Sequence, residues 1–265
     1  MSRIIAIANQ KGGVGKTTTA VNLGAALRER GRSVLCVDLD PQASLTLALG
    51  LIADDLPATI YKAMLDTARG EDHADPAALI QQTAAGLDLL PSNIELSQAE
   101  LDLTREPLGV YALRDTLTPL SAHYDYILLD CPPSLGILTT NALAAAGEVL
   151  IPLQSDYLAL KGVDLLLGTV GKMQKRANPN LKVSGILLTM ADTRTLHARE
   201  VIEAAHAAFG DRVPIFESVV HFTVRLKEAP LTGQSILAYA NDSQAAEAYR
   251  ALAREIDGGG AEQHR

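Results

Sequence analysis

Ile4-Ile5-Ala6-Ile7-Ala8-Asn9-Gln10-Lys11-Gly12-Gly13-Val14-Gly15-Lys16-Thr17-Thr18 decides the fold of this chain. Ile4–Ala8 is a short, wholly apolar run, which suits a strand buried on both faces. Glycines then punctuate, and from Thr17 to Arg30 the apolar residues recur at helical spacing. Gly31 breaks the helix, and Ser33–Val37 reads as a second buried strand. Strand, glycine loop, helix and strand within about 35 residues make a βαβ unit, so the sheet should be mostly parallel.

The same grammar runs to the far end. Helices are predicted over Leu56–Arg69, Glu95–Thr104, Val110–Ser121, Leu138–Ala146, Leu158–Arg176, Leu196–Phe209 and Ser243–Ile256. Strands are predicted over Leu87–Leu90, Tyr126–Leu129, Glu148–Pro152, Val183–Thr189 and Val213–Phe216. No internal repeat or low-complexity linker interrupts them. The expectation is one α/β domain over residues 1–257, with a doubly wound, mostly parallel sheet and helices on both faces. The glycine-rich residues 258–265 are expected to form a flexible tail.

Composition narrows the function. The chain has 265 residues, 48% of them hydrophobic, and a formal charge of −8, which argues against a uniformly basic polyanion binder. Between Lys172 and Lys227, however, nine Lys and Arg face five Asp and Glu, so an acidic body can still carry one basic face. Two cysteines, Cys36 and Cys131, fall in or beside core strands and are expected to be reduced. The N-terminus enters a strand at once rather than reading as a signal peptide. No apolar run approaches the roughly 18 residues that span a bilayer, so a cytoplasmic protein is expected.

The glycine loop carries the chemistry. Phosphate needs donors that approach closely, and glycines let successive backbone N–H groups converge on its oxygens. The helix that follows adds the positive end of its dipole. Lys16 supplies a charge for the β- and γ-phosphates, and the Thr17 hydroxyl suits Mg²⁺. The pattern departs from G-x-x-x-x-G-K-[ST], because Gln10 stands in place of the first glycine and Lys11 follows it. Asp38-Leu39-Asp40-Pro41-Gln42 leaves the second strand, and Asp130-Cys131-Pro132-Pro133 leaves the strand Tyr126–Leu129. In open parallel sheets the ligand sits at the carboxyl ends of the strands, so both acidic corners should face the loop. An apolar strand ending in Asp130 suits a carboxylate that touches Mg²⁺ directly or through water.

Lys11-Gly12-Gly13-Val14-Gly15-Lys16-Thr17-Thr18 resembles the deviant Walker A motif of the ParA/MinD superfamily. Asp38–Gln42, Pro91-Ser92-Asn93, Asp130–Ser134, Ala159–Gly162, Leu188–Asp192 and Val224–Pro230 are similar to the short ParA/Soj partition ATPases. The likeness covers about residues 2–256. It implies ATP hydrolysis with Mg²⁺ and an ATP-dependent homodimer, in which Lys11 reaches the partner's phosphates. Asp40 would orient the attacking water and join Thr17 and Asp130 at the metal, with Asp38 supporting the loop and the metal's water shell. Met190, Pro214 and Phe216 would form the adenine pocket. Arg194, Arg225, Lys172, Lys175 and Arg199 would contact duplex DNA without reading its sequence, and a ParB-like protein would stimulate hydrolysis. In many relatives Pro-Arg-Asn precedes Val-Arg-Leu. Here Val220-His221-Phe222-Thr223 stands instead, so an arginine is missing beside the expected DNA face.

Two alternatives stay open at this level. The same switch could position protein cargo on the nucleoid, or act at a membrane surface in the MinD manner. With so few residues before the first strand, no N-terminal helix-turn-helix domain is expected. The glycine-rich tail lacks the bulky apolar face of a membrane-surface helix, so no membrane partner is expected.

Overall fold

In the computed structural model, residues 2–71, 75–154, 157–191 and 196–258 are described, apart from the side chains of residues 157–159, 196–199, 201 and 202. Arg194 and most of the predicted tail lie outside the described residues, as does the side chain of Arg199.

The strands are β1 (Arg3–Ile7), β2 (Val34–Asp38), β3 (Gln81–Gln82), β4 (Asp88–Leu90), β5 (Tyr126–Asp130), β6 (Glu148–Gln154), β7 (Lys182–Ala191) and β8 (Ile215–His221). The helices are α1 (Lys16–Glu29), α2 (Ser44–Ala48), α3 (Ile60–Arg69), α4 (Ala99–Arg105), α5 (Ala112–Leu117), α6 (Ile137–Ala145), α7 (Tyr157–Arg176), α8 (Leu196–Phe209), α9 (Arg225–Glu228), α10 (Ile236–Tyr239) and α11 (Gln244–Gly258). One eight-stranded sheet runs in the order β3-β4-β2-β5-β1-β6-β7-β8. Every pairing is parallel except that of β3, a two-residue edge strand antiparallel to β4.

The two-fold alternation of strand side chains separates the two cores. Ile5 and Ile7 point into one, with Leu23 and Leu27 of α1 and Tyr249 and Leu252 of α11. Ala6 and Ala8 point into the other, with Leu113 of α5, Leu143 of α6, Leu166 of α7 and Phe209 of α8. All five residues of β2 and of β5 are buried, so the central strands read as unbroken apolar runs rather than alternating ones.

Most predicted elements stand within a few residues of where the sequence puts them, and the exceptions have physical causes. The stretch predicted as Glu95–Thr104 splits into a 3₁₀ turn at Ile94–Gln98 and α4. The helix predicted over Val110–Ser121 breaks before Pro119, which cannot continue it. The strand predicted at Val213–Phe216 is displaced to Ile215–His221, where Val219 and Val220 pair with Leu188 and Thr189 of β7. What positions the site is the place of β1. It lies between β5 and β6, and the chain winds outward from it in both directions, so a crevice opens at its carboxyl end.

Candidate active site

The loop from Asn9 to Gly15 joins β1 to α1 at that crevice. Gly13 and Gly15 have φ of +75° and +88°, a left-handed backbone that glycine adopts without strain. Gly15 is the residue from which α1 departs, and no acidic residue sits in that helix's first turn. The helix N-terminus therefore keeps its partial positive charge for a ligand. Buried Asn9 anchors the other end of the loop. Its side chain donates to the Pro152 carbonyl (2.7 Å) and accepts from the Lys11 N–H (3.0 Å). Thr189 Oγ1 donates to the Val14 carbonyl (2.8 Å), fastening the loop's middle to β7.

Lys16, Thr17, Asp40 and Asp130 come together here. Lys16 is 7% exposed, and its ammonium donates to the Lys11 carbonyl at 3.1 Å. Burial lowers its pKa, against the pull of the nearby Asp130 and Asp40 carboxyls. Thr17 Oγ1 donates to Asp130 Oδ2 at 2.7 Å, and Asp130 Oδ1 is buried without a hydrogen-bond partner. Burial drives the Asp130 carboxyl well above the ordinary range, and the neighbouring Asp38 carboxylate adds to the rise. The Thr17 bond and Lys16 oppose it. A buried carboxylate oxygen left unsatisfied costs free energy unless something positive binds it.

That orphaned oxygen, beside a hydroxyl and a lysine, suits a divalent cation with oxygen ligands. Among the described residues no three Asp, Glu, His or Cys side chains converge as a metal cage. A cation here would take most of its ligands from water and from a bound phosphate, which is the habit of Mg²⁺.

Asp38 sits differently. It is fully buried, its Oδ1 accepts from the Asp40 N–H (3.1 Å), and its Oδ2 accepts from both the N–H and the hydroxyl of Thr46 (2.8 Å each). Burial nevertheless pushes its pKa up to about 6, those hydrogen bonds resisting. With three donors engaged, Asp38 is a brace for the loop. Asp40 is half-buried, and its Oδ1 accepts from the Gln42 N–H at 2.9 Å. Both cysteines are buried, and burial raises both thiols.

The expected adenine pocket needs correction. Met190 does border a small hollow of about 50 Å³ beside Gly15 and Thr18, together with Val220, Phe222, Leu226 and Lys227. Pro214 and Phe216 do not. They stand at the amino end of β8, on a separate cavity of about 730 Å³ that also touches Arg3, Glu148 and Lys182 at the starts of β1, β6 and β7. Parallel strands put that cavity at the edge of the sheet opposite the glycine loop. The residue missed by the sequence is Phe222, which is 54% exposed, with Lys227 Nζ 5.5 Å from its ring centre. The signal available was its place in Val220-His221-Phe222-Thr223, two residues before the Val224–Pro230 stretch already singled out.

Among the described residues, the proposed DNA contacts do not form one patch either. Arg225 is exposed at the start of α9, just past the carboxyl end of β8. Lys172 and Lys175 are exposed near the end of α7, which runs back toward the amino edge, where Asn178 bonds the Ala146 carbonyl (2.7 Å).

Comparison with known proteins agrees with this geometry. Residues 2–183 match the family described as an AAA domain. The chromosome partitioning protein ParA of Myxococcus xanthus is 45% identical over 256 residues, 97% of this chain and 88% of that protein. The sporulation initiation inhibitor protein Soj of Bacillus subtilis is 44% identical over 261 residues, 98% of this chain and 100% of that protein. A solved structure described as cobyrinic acid a,c-diamide synthase from Mycobacterium smegmatis, with bound ADP and magnesium, has a TM-score of 0.84 and 40% identity. It covers 98% of this chain and 97% of that one. A glycine loop carrying two lysines at the carboxyl edge of a parallel sheet, and relatives of this closeness along nearly the whole chain, make this protein a member of the ParA/Soj family of P-loop ATPases, within the ParA/MinD superfamily.

Proposed function

We propose that the chain is a DNA-partition ATPase whose Mg-ATP-bound form dimerises and binds duplex DNA, and whose hydrolysis releases it. The observation that carries the reading is the Thr17–Asp130 hydrogen bond with its unsatisfied second oxygen beside Lys16. Such a pair is completed by Mg²⁺ on a nucleotide's phosphates, which Gly12, Gly13, Val14, Gly15 and Thr18 would cradle. The base would stack at the rim of the Met190–Phe222 hollow, which is too small to enclose a purine. Asp40 would orient the attacking water, and Lys11 would reach the γ-phosphate of a second copy, making that phosphate the glue of a symmetric dimer. Arg225, with Arg194, would bind DNA backbone, giving salt-sensitive affinity without base readout. A ParB-like partner would trigger hydrolysis, and the site of action would be the nucleoid in the cytoplasm. Among the described residues no helix is long and apolar enough to cross a membrane.

The Mycobacterium smegmatis structure raises a second reading, amide synthesis. An enzyme that released ammonia from glutamine with its own thiolate would need an accessible, acidic cysteine. Cys36 and Cys131 are instead buried with raised thiols, which favours the partition reading.

The test is a mobility shift on non-specific duplex DNA with ATP, ADP or no nucleotide at several salt concentrations. Binding only with ATP, weakening steeply with salt and lost in Arg225→Glu, supports the proposal. Intact ATP binding with no DNA retention under any condition would sink the DNA half of it.

A further inference from the structure

Behind Asp40 a ring of hydrogen bonds closes through Thr46 and Ser92, neither of which bonds the glycine loop in any hydrogen bond described. Asp38 binds the Asp40 N–H with one oxygen and Thr46 with the other. The Thr46 hydroxyl in turn accepts from the Ser92 N–H (3.1 Å), and the Ser92 hydroxyl donates to the Asp40 carbonyl (2.8 Å). Asp38, Thr46 and Ser92 are each 0% exposed. The ring therefore grips Asp40 at both its N–H and its C=O, and it ties together three segments: the end of β2, α2, and the residues that follow β4.

The grip has work to do. The turn after Asp40 ends at Ala43, whose φ of +52° is left-handed and strained for a residue with a Cβ. The Ala43 N–H also donates to the Asp40 carbonyl (2.9 Å), so the turn folds back on the same oxygen that Ser92 holds. A strained turn keeps its shape only where its surroundings over-determine it. Within it, the Asp40 carboxylate is fixed locally by the Gln42 N–H alone among the bonds described, which leaves its aim dependent on the backbone the ring sets.

We infer that Ser92 and Thr46 are positioning residues for ATP hydrolysis, closing a buried ring that aims the Asp40 carboxylate at the attacking water. This rests on the proposed reading of Asp40 as the water-orienting group. Neither side chain touches the glycine loop in any hydrogen bond described, so the ring should act on turnover and not on nucleotide affinity.

The experiment compares Ser92→Ala, Thr46→Val, Thr46→Ser, Asp40→Ala and Ser92→Ala/Asp40→Ala in the full chain. Steady-state phosphate release, Mg-ATP affinity by titration calorimetry and thermal melting are measured for each. Loss of aim of about an ångström costs on the order of 10²-fold in rate, so Ser92→Ala and Thr46→Val should lower kcat about 10- to 100-fold. Mg-ATP affinity should stay within about threefold, because the phosphate cradle is untouched. Thr46→Ser keeps the hydroxyl and should keep kcat. In the double variant the Ser92 change should add nothing to Asp40→Ala, since a positioning group has no effect once its target is gone. Unchanged kcat in Ser92→Ala would overturn the inference while leaving the ATPase reading intact. So would a further loss in the double variant, or affinity and kcat falling together. Parental turnover in Asp40→Ala would overturn the assignment of Asp40 and the ring's role with it.

Discussion

Thr17→Ala separates the metal from the phosphate loop. The Thr17 hydroxyl donates a hydrogen bond to Asp130 Oδ2, and Asp130 Oδ1 has no hydrogen-bond partner. Removing a bond to a charged buried group costs about 1.5–3 kcal/mol, and a bond to a neutral one about 0.5–1.5 kcal/mol. Which applies depends on pH. The Thr17 bond lowers the pKa of Asp130, so its loss raises the folded-state pKa further above the unfolded value. A carboxyl whose folded pKa is raised stabilises the fold in acid and loses that contribution as pH rises through the folded value. The variant's deficit should therefore be small near pH 5 and largest in alkali. There, about 1.5–3 kcal/mol in a chain of this size lowers the melting temperature by roughly 3–12 °C. With ligand the effect turns to Mg²⁺. Loss of a metal-site partner commonly costs about 10- to 100-fold in metal affinity. Titration calorimetry should show Mg-ADP binding weakened by that factor and Mg-free ADP binding changed less than about threefold. An equal loss with and without Mg²⁺ would mean that Thr17 only shapes the loop, and the metal assignment would fall.

Other perturbations address neighbouring groups. Lys16→Ala removes the buried ammonium that caps the Lys11 carbonyl, and nucleotide affinity should drop about 100-fold or more, read with a fluorescent ADP analogue. Parental affinity would refute its phosphate role. Asp38, with its pKa pushed up to about 6, binds its proton more tightly folded than unfolded. The nucleotide-free protein should thus lose up to about 3 kcal/mol between roughly pH 4 and pH 6 from this group, by urea unfolding. Asp38→Asn should flatten that slope, and an unchanged slope would discard the brace's titration. Phe222→Ala removes a stacking face worth about 1–3 kcal/mol per base, so ADP affinity should fall about 5- to 150-fold while pyrophosphate affinity holds. Phe216→Ala, at the opposite edge, should leave both unchanged.

The sequence spoke clearly wherever one local rule was enough. The run Ile4–Ala8, the three glycines and Lys16-Thr17 specify strand, turn and helix without tertiary help, and Asp130 follows because a parallel strand must end at the same edge. It was silent where the answer depends on pairing. Nothing local shows that Ser92, some fifty residues past Asp40, returns to bond its carbonyl. The direction of a helix decided the basic face: Lys172 and Lys175 share α7 with residues near the site, yet α7 carries them to the other edge. The adenine residues failed for the same reason. Pro214 and Phe216 are near Met190 in the resemblance but sit at the amino end of β8, while only its carboxyl end, through Phe222, reaches the loop.

Strain provides an argument for the site that owes nothing to motifs. Among the described residues, two without a glycine's freedom adopt left-handed backbone, Ala43 and Met190, both with φ of +52°. Each conformation costs on the order of 1 kcal/mol, and neither residue looks unusual in the sequence. Ala43 closes the turn that carries Asp40. Met190 interrupts the pairing of β7 with β8, whose register shifts between Thr189 and Ala191, and it lines the hollow beside Gly15. Both lie at the carboxyl edge, on opposite flanks of β1, as does the unsatisfied oxygen of Asp130. A fold that needed only stability would relax such points, because a glycine at either position or an asparagine at Asp130 would relieve them. Their concurrence around one loop means the sheet's carboxyl edge is shaped for a ligand that supplies the missing positive charge. The measurement that follows is simple: Ala43→Gly and Met190→Gly should keep the melting temperature within a few degrees yet impair hydrolysis and base affinity, respectively. Loss of both functions in both variants would show the two strained points to be one structural unit rather than two separate aids to the site.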